Sequence, residues 1–162
     1  MSCGGRIRDD GAPPMNNDAS TETKRALLRA ALNAQAAGEE EIGASRIAAA
    51  LLRTMSSADF CERMQIDSTR VCAAADDPDA PSFDECDRAV RDKSLEDLRL
   101  RPFAATVASV VDRVVGRHGH VAVPPLQLLY EIVRANLDVA SRLSAEGLTA
   151  EVITADLGEE RC

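Results

Sequence analysis

Apolar residues recur along this chain at intervals of three and four, and the pattern itself recurs. Leu27, Ala30, Ala31, Ala34 and Gly38 trace one stripe, and Val107, Val110, Val111, Val114 and Val115 trace another. That period marks an amphipathic helix and outweighs the β propensity of each valine. A shift of 81 positions lays the first stripe on the second: Ala26 meets Val107, Ala30 meets Val111, Ala34 meets Val115 and Gly38 meets Gly119. The register continues through Ile42 and Val123, Ile47 and Leu128, Ala48 and Leu129, Leu51 and Ile132, and Leu52 and Val133. Further on the shift becomes 82, bringing Ile66-Asp67 onto Leu148-Thr149 and Val71 onto Ile153, as one extra residue in a connecting turn would do. Identities are few, so the repeat lies in the spacing, and it sets the unit of folding.

Each copy predicts the same order of elements. Ser20 or Thr21 caps the first helix, with Glu22 in its first turn, and Gly38 ends it. A short turn follows, GEEEIG in one copy and GHVAVP in the other, anchored by Ile42 or Val123. The second helix carries Ile47, Ala48, Leu51 and Leu52, or Leu128, Leu129, Ile132 and Val133 after Pro124-Pro125, which suits a first helical turn. Two shorter helices close each copy. The last begins at Asp67 or Thr149, both good caps, and sends Val71, or Val152 and Ile153, inward.

Residues 1–19, with Gly4, Gly5, Gly11, Pro13 and Pro14, are too poor in apolar side chains to offset the entropy of ordering, which predicts a disordered tail. Residues 76–100 hold nine acidic and four basic residues, a net of −5 out of the chain's −8, and predict an acidic solvated linker. Phe83, Val90, Leu95 and Leu98 within it are irregularly spaced, compatible with one short helix folded back on the surface. The expected architecture is one all-α domain over 20–158, with repeat one at 20–75, the linker at 76–100, repeat two at 101–158, and about eight helices.

A length of 162 residues suits one real core but not two of average size. Aromatic residues make up only 2% and Trp is absent, so Ala, Leu, Val and Ile must fill that core, which favours close helix packing. A net charge of −8 repels a phosphate backbone, so nucleic acid is not an expected partner. No apolar run approaches the roughly 20 residues that cross a bilayer. The opening MSCGGRIRDDGAPP lacks the apolar stretch of a secretory signal, and a cytoplasmic location away from membranes is the expectation. The five cysteines, Cys3, Cys61, Cys72, Cys86 and Cys162, are odd in number and scattered, which argues for reduced thiols rather than a disulfide framework.

Candidate chemistry is thin. His118 and His120 flank Gly119, but one His-x-His with isolated cysteines is not the paired spacing of a zinc site, so neither metal nor cofactor is expected. Cys61 and Cys72 fall at apolar helix positions typical of inert buried thiols. Adjacent acids such as Glu39, Glu40 and Glu41, or Asp76 and Asp77, read as solvated surface rather than as an acid-base pair. Arg46 and Arg53 lie seven apart on one helix face, where solvated charge is the plainer reading and a grip on an acidic peptide the alternative. Leu126, Leu129 and Tyr130 read equally as core.

The segments ALLRAALNAQAAGEEEIGASRIAAALL with MQIDSTRV, and TVASVVDRVVGRHGHVAVPPLQLLYEIV with EGLTAEVI, resemble the Clp amino-terminal repeat domain of Clp-type AAA+ unfoldases. The resemblance spans about residues 20–156. It implies two tandem four-helix repeats related by a pseudo-twofold axis, and a non-catalytic domain that binds substrates or adaptors for the ATPase ring. No GxxxxGK[ST] phosphate loop occurs, so a module acting without its own ATPase is implied.

Family members commonly place a Thr-Glu-His triplet at the start of the second helix of each repeat, and in some relatives its glutamate recognises phosphorylated arginine. Here those positions read Ala44-Ser45-Arg46 and Pro125-Leu126-Gln127. Both carboxylates are gone, so the bidentate pairing behind that recognition is not expected. Ser45, Arg46, Leu126 and Gln127 occupy the family's recognition positions and are the candidate partner-binding residues, at the surface between repeats. The expected partner is a Clp-type AAA+ ATPase or its protein substrates, with this chain as adaptor or substrate-recognition module. The alternatives are an accessory subunit that contacts the ring without touching substrate, a cysteine-dependent enzyme, or a diverged relic with an unrelated partner.

Overall fold

Small side chains decide how closely the first two helices approach. Helix α1 (Asp18–Ala36) buries Ala26, Ala30 and Ala34 against α2 (Ala44–Leu52), whose own buried face includes Ala48, Ala49 and Ala50. Alanine ridges let two helices pack at short range and leave room for the larger side chains of a third. That third helix is α7 (Pro125–Ala135), which sets Leu128, Leu129 and Ile132 in the same core as Ile47 and Leu51. Each of these large side chains is fully buried, and burial of one stabilises the fold by about 1.5–3 kcal/mol.

The computed structural model describes residues 18–91, 102–111 and 123–161. Among the described residues it is all-α, with nine helices in one domain. The remaining elements are α3 (Met55–Arg63), α4 (Ser68–Ala75), α5 (Phe83–Arg91), α6 (Ala105–Val111), α8 (Leu137–Ser144) and α9 (Ala150–Arg161). No described helix is long and apolar enough to cross a membrane. The expected tail before Asp18, the residues Leu95, Leu98, Val114, Val115, His118, Gly119 and His120, and Cys3 and Cys162 lie outside the described residues.

Capping follows the sequence closely, with one exception. Helix α1 begins at Asp18, so Ser20 and Thr21 sit inside its first turn rather than capping it. Its other end is as expected: Gly38 takes φ +78°, and Glu39 N–H donates to the Ala34 carbonyl at 3.0 Å. Asp67 accepts from the N–H groups of Thr69 and Arg70 at 3.0 and 3.3 Å, and Thr149 Oγ1 accepts from Val152 N–H at 3.2 Å.

One backbone bond recurs at the shift read from the spacing, and a second pair of carbonyls is met at matching positions by different donors. Ile66 N–H donates to the Cys61 carbonyl at 2.8 Å, and Leu148 N–H, 82 residues on, donates to the Leu143 carbonyl at 3.1 Å. Gln65 and Gly147, the residues just before, both take positive φ, at 58° and 92°. The Ile42 carbonyl accepts from Ala104 N–H at 3.0 Å, while the carbonyl of Val123, 81 residues on, accepts from Thr23 Oγ1, which is 81 residues before Ala104. Ile42 N–H also donates to the Pro102 carbonyl at 2.8 Å, completing an isolated parallel bridge to Phe103. Ile42 and Val123 are buried, as their role as turn anchors requires.

The acidic segment departs from a solvated linker over the residues described. Phe83, the first residue of α5, is fully buried and lies beneath two guanidiniums, with Arg53 at 4.4 Å and Arg29 at 5.1 Å from its ring centroid. Asp87 receives both Nε and Nη2 of Arg29 at 3.0 and 2.9 Å. Net negative charge hides this in the sequence, because the acids pair with arginines of α1 and α2. Helix α5 is the ninth element, beyond the eight expected.

Candidate binding groove

The two expected recognition positions on α2 are occupied by the protein itself. Arg46, in the first turn of α2, has its side chain only 7% exposed. Its Nε and Nη2 bind the Glu39 carboxylate at 3.1 and 2.8 Å, and its Nη1 donates to Asn33 Oδ1 at 3.1 Å. Asn33 Nδ2 donates onward to the Phe83 carbonyl at 3.1 Å. This bidentate pair ties the α1–α2 turn, α1 and α5 together, so Arg46 is neither solvated nor free to grip an acidic peptide. Arg53, its expected companion, stacks on Phe83 and pairs with Asp84 at 3.3 Å.

Ser45 Oγ accepts from Arg142 Nη2 at 2.6 Å. Arg142, on α8, also donates to the carbonyls of Ala74 and Ala75 at 3.0 and 3.3 Å. A guanidinium there satisfies carbonyls at the end of α4 that have no helical partner, and it complements the negative end of that helix. On α7, Leu126 is buried in the core and Gln127 is half-buried. The structure therefore brings Ser45 and Arg46 to one surface depression and leaves Leu126 and Gln127 away from it.

That depression is a groove of about 560 Å³ between the start of α2 and the α7–α8 junction. One wall carries Glu39, Glu41, Ser45, Arg46, Asp76 and Asp77, and the other runs from Ala135 to Val139. Five carboxylates, including Asp138, face it against one guanidinium, and that guanidinium is bound to Glu39. Burial holds the Asp76 carboxyl above the usual carboxylate range, against the Phe83 N–H bond at 3.1 Å and the arginines Arg53 and Arg46 that favour its charge. Leu137, the first residue of α8, is 83% exposed at the rim. Asn136 spends its side chain on the Ile132 carbonyl at 3.0 Å, closing the end of α7.

A second groove of about 590 Å³ lies between α1 and the start of α3. Its exposed apolar residue is Met55, which is 78% exposed and is the first residue of α3. Glu22 caps α3 from α1 by accepting from Ser56 N–H at 3.1 Å and from Ser56 Oγ. Arg25, Arg29 and Arg53 face Glu22 and Asp59 here, with Arg29 and Arg53 already paired to Asp87 and Asp84 of α5, so the groove lacks the acidic surplus of the first.

Among the described residues no three histidine, cysteine or acidic side chains are grouped to hold a metal ion. Burial pushes the Cys61 thiol up to about 11 and raises Cys72 and Cys86 as well. All three are therefore protonated near neutral pH, and the thiolate is the reactive form.

The residues missed by sequence reasoning are Leu137, Asp138 and the Glu39–Arg46 pair. One signal was present for the first. The buried residues of α8 are Val139 and Leu143, one helical step apart, and Leu137 falls off that stripe. An off-stripe leucine at a helix start is an exposed leucine.

No family model and no curated protein matches the chain. Among solved structures, one described under preliminary structural investigations of a malarial protein secretion system superposes with a TM-score of 0.62. It shares 15% identity, over 86% of this chain and 91% of its own. At that identity the likeness is one of fold.

Proposed function

We propose that this chain is a non-catalytic protein-binding module of two fused Clp-type repeats, serving a Clp-type AAA+ unfoldase in the cytoplasm as adaptor or substrate-recognition partner. The groove between α2 and the α7–α8 junction, with Leu137 bare at its rim, carries the reading. An exposed leucine beside a concave, polar-walled surface is what a polypeptide ligand needs, whereas protonated thiols offer no ready nucleophile. The repeat reading is supported by the matching backbone bonds of Ile66 and Leu148, and by the carbonyls of Ile42 and Val123, which accept from residues at matching positions, Ala104 through its N–H and Thr23 through its hydroxyl. Phosphoarginine is not the proposed ligand. Arg46 in the groove wall is held by Glu39, Arg142 behind Ser45 is held by that hydroxyl and the α4 carbonyls, and carboxylates surround them.

The test is co-retention. The purified chain, immobilised, is expected to hold both a Clp-type ATPase and a permanently unfolded client protein. Retention of the ATPase alone replaces the adaptor reading with that of an accessory ring subunit. Retention of neither overturns the Clp assignment.

A further inference from the structure

The groove at the start of α8 has a chemical bias that its shape alone does not reveal. We infer that it takes an unmodified lysine or arginine side chain from an extended polypeptide, with a neighbouring apolar residue of that polypeptide packed on Leu137. This rests on the protein-binding reading above and names its ligand class.

Charge complementarity is the first argument. Five carboxylates line the groove against Arg46, which Glu39 binds, and Arg142, which Ser45 and the α4 carbonyls hold, so an incoming cation meets a net negative field within a Debye length. Asp76 is one of these carboxylates, half-buried in the groove wall and accepting from Phe83 N–H at 3.1 Å. The field is also spread out. No three of these carboxylates are grouped to hold a metal ion, so they suit a long cationic side chain rather than a chelated ion. Leu137 supplies the apolar half of the contact, since 83% of it is open to solvent at the same rim. An acidic or phosphorylated ligand would meet only repulsion.

The experiment is fluorescence anisotropy on the full chain with a labelled heptapeptide of alternating lysine and leucine. Companion peptides carry glutamine, glutamate or phosphoarginine in place of lysine. The lysine peptide is expected to bind about tenfold or more tighter than the glutamine one at low salt and to lose most of that advantage at high salt. Glu41 and Asp138 are exposed, so the double variant Glu41→Gln, Asp138→Asn should keep its fold and weaken lysine-peptide binding about tenfold. Leu137→Ser should weaken it several-fold, and Met55→Ser, at the other groove, should leave it unchanged. Equal binding of the lysine and glutamine peptides overturns the inference, as does tighter binding of phosphoarginine. So does sensitivity to Met55→Ser with none to Leu137→Ser. In each case the co-retention of ATPase and client still stands or falls on its own.

Discussion

Met55 and Leu137 stand 82 residues apart, each opens a short helix, and each leaves a large apolar side chain in solvent. The ground around them differs. Leu137 borders a groove with five carboxylates and one engaged guanidinium, whereas Met55 borders three guanidiniums, two of them paired with Asp84 and Asp87 of α5, and two carboxylates. Beneath them Cys61 and Leu143, and Val71 and Ile153, each pair 82 residues apart, are all buried. Packing constrains volume and spacing tightly, while exposed charges change at little cost in stability. Positions with the same spacing and burial can therefore carry different surfaces, and the surface selects a ligand.

The largest test asks whether the two regions share one core. Leu51 and Ile132, 81 residues apart, are both fully buried, and replacing either with alanine should cost about 2–5 kcal/mol. Urea unfolding followed by far-ultraviolet circular dichroism should show one transition in both variants. Two separate transitions would show halves that fold independently.

Next comes the contrast between Arg46 and Gln127, also 81 residues apart. Arg46→Ala removes the bidentate pair and strands Glu39 and Asn33, which should cost about 3 kcal/mol. Gln127→Ala, at a half-buried uncharged side chain, should cost about 1 kcal/mol or less. Equal losses in thermal unfolding would mean that the two positions do the same structural work after all.

A smaller effect separates the paired turns. Gln65 holds φ 58° and pays the steric cost of a side chain there, whereas Gly147 at 92° does not. Gln65→Gly should raise stability by about 0.5–1 kcal/mol and Gly147→Ala should lower it by about 1 kcal/mol. A Cβ built at Gly147 meets no atom within 4 Å, so the loss would come from the backbone alone.

The smallest effect is one of pH. Because the folded Asp76 carboxyl lies above its ordinary value of 3.8, its contribution is most favourable when protonated and is lost as pH rises through the folded value. Asp76→Asn keeps an acceptor for the Phe83 N–H and should be more stable than the parent at pH 7. That advantage should vanish by about pH 3, where the parent carboxyl is protonated too. An advantage constant with pH would assign the effect to packing.

Much of the framework is legible in the residues alone. Stripes at three and four, Gly38 after the last turn of α1, and the caps Asp67 and Thr149 are local signals, because helix period and capping involve residues a turn apart. The turn anchors Ile42 and Val123, expected from their spacing, are both buried. The start of α1 is less legible, because the helix reaches back to Asp18 before the apolar stripe begins.

The candidate binding surface depends on tertiary structure. No local pattern states that Glu39 will take up Arg46, that Arg142 will reach Ser45 and the end of α4, or that Phe83 will bury beneath Arg29 and Arg53. Those choices join residues 7, 97 and up to 54 positions apart, and each removes a charge or a hydroxyl that the sequence left available. Periodicity along a chain reports which face of a helix is apolar. Which charges remain unspent depends on the distances between faces, and those exist only once the helices have packed.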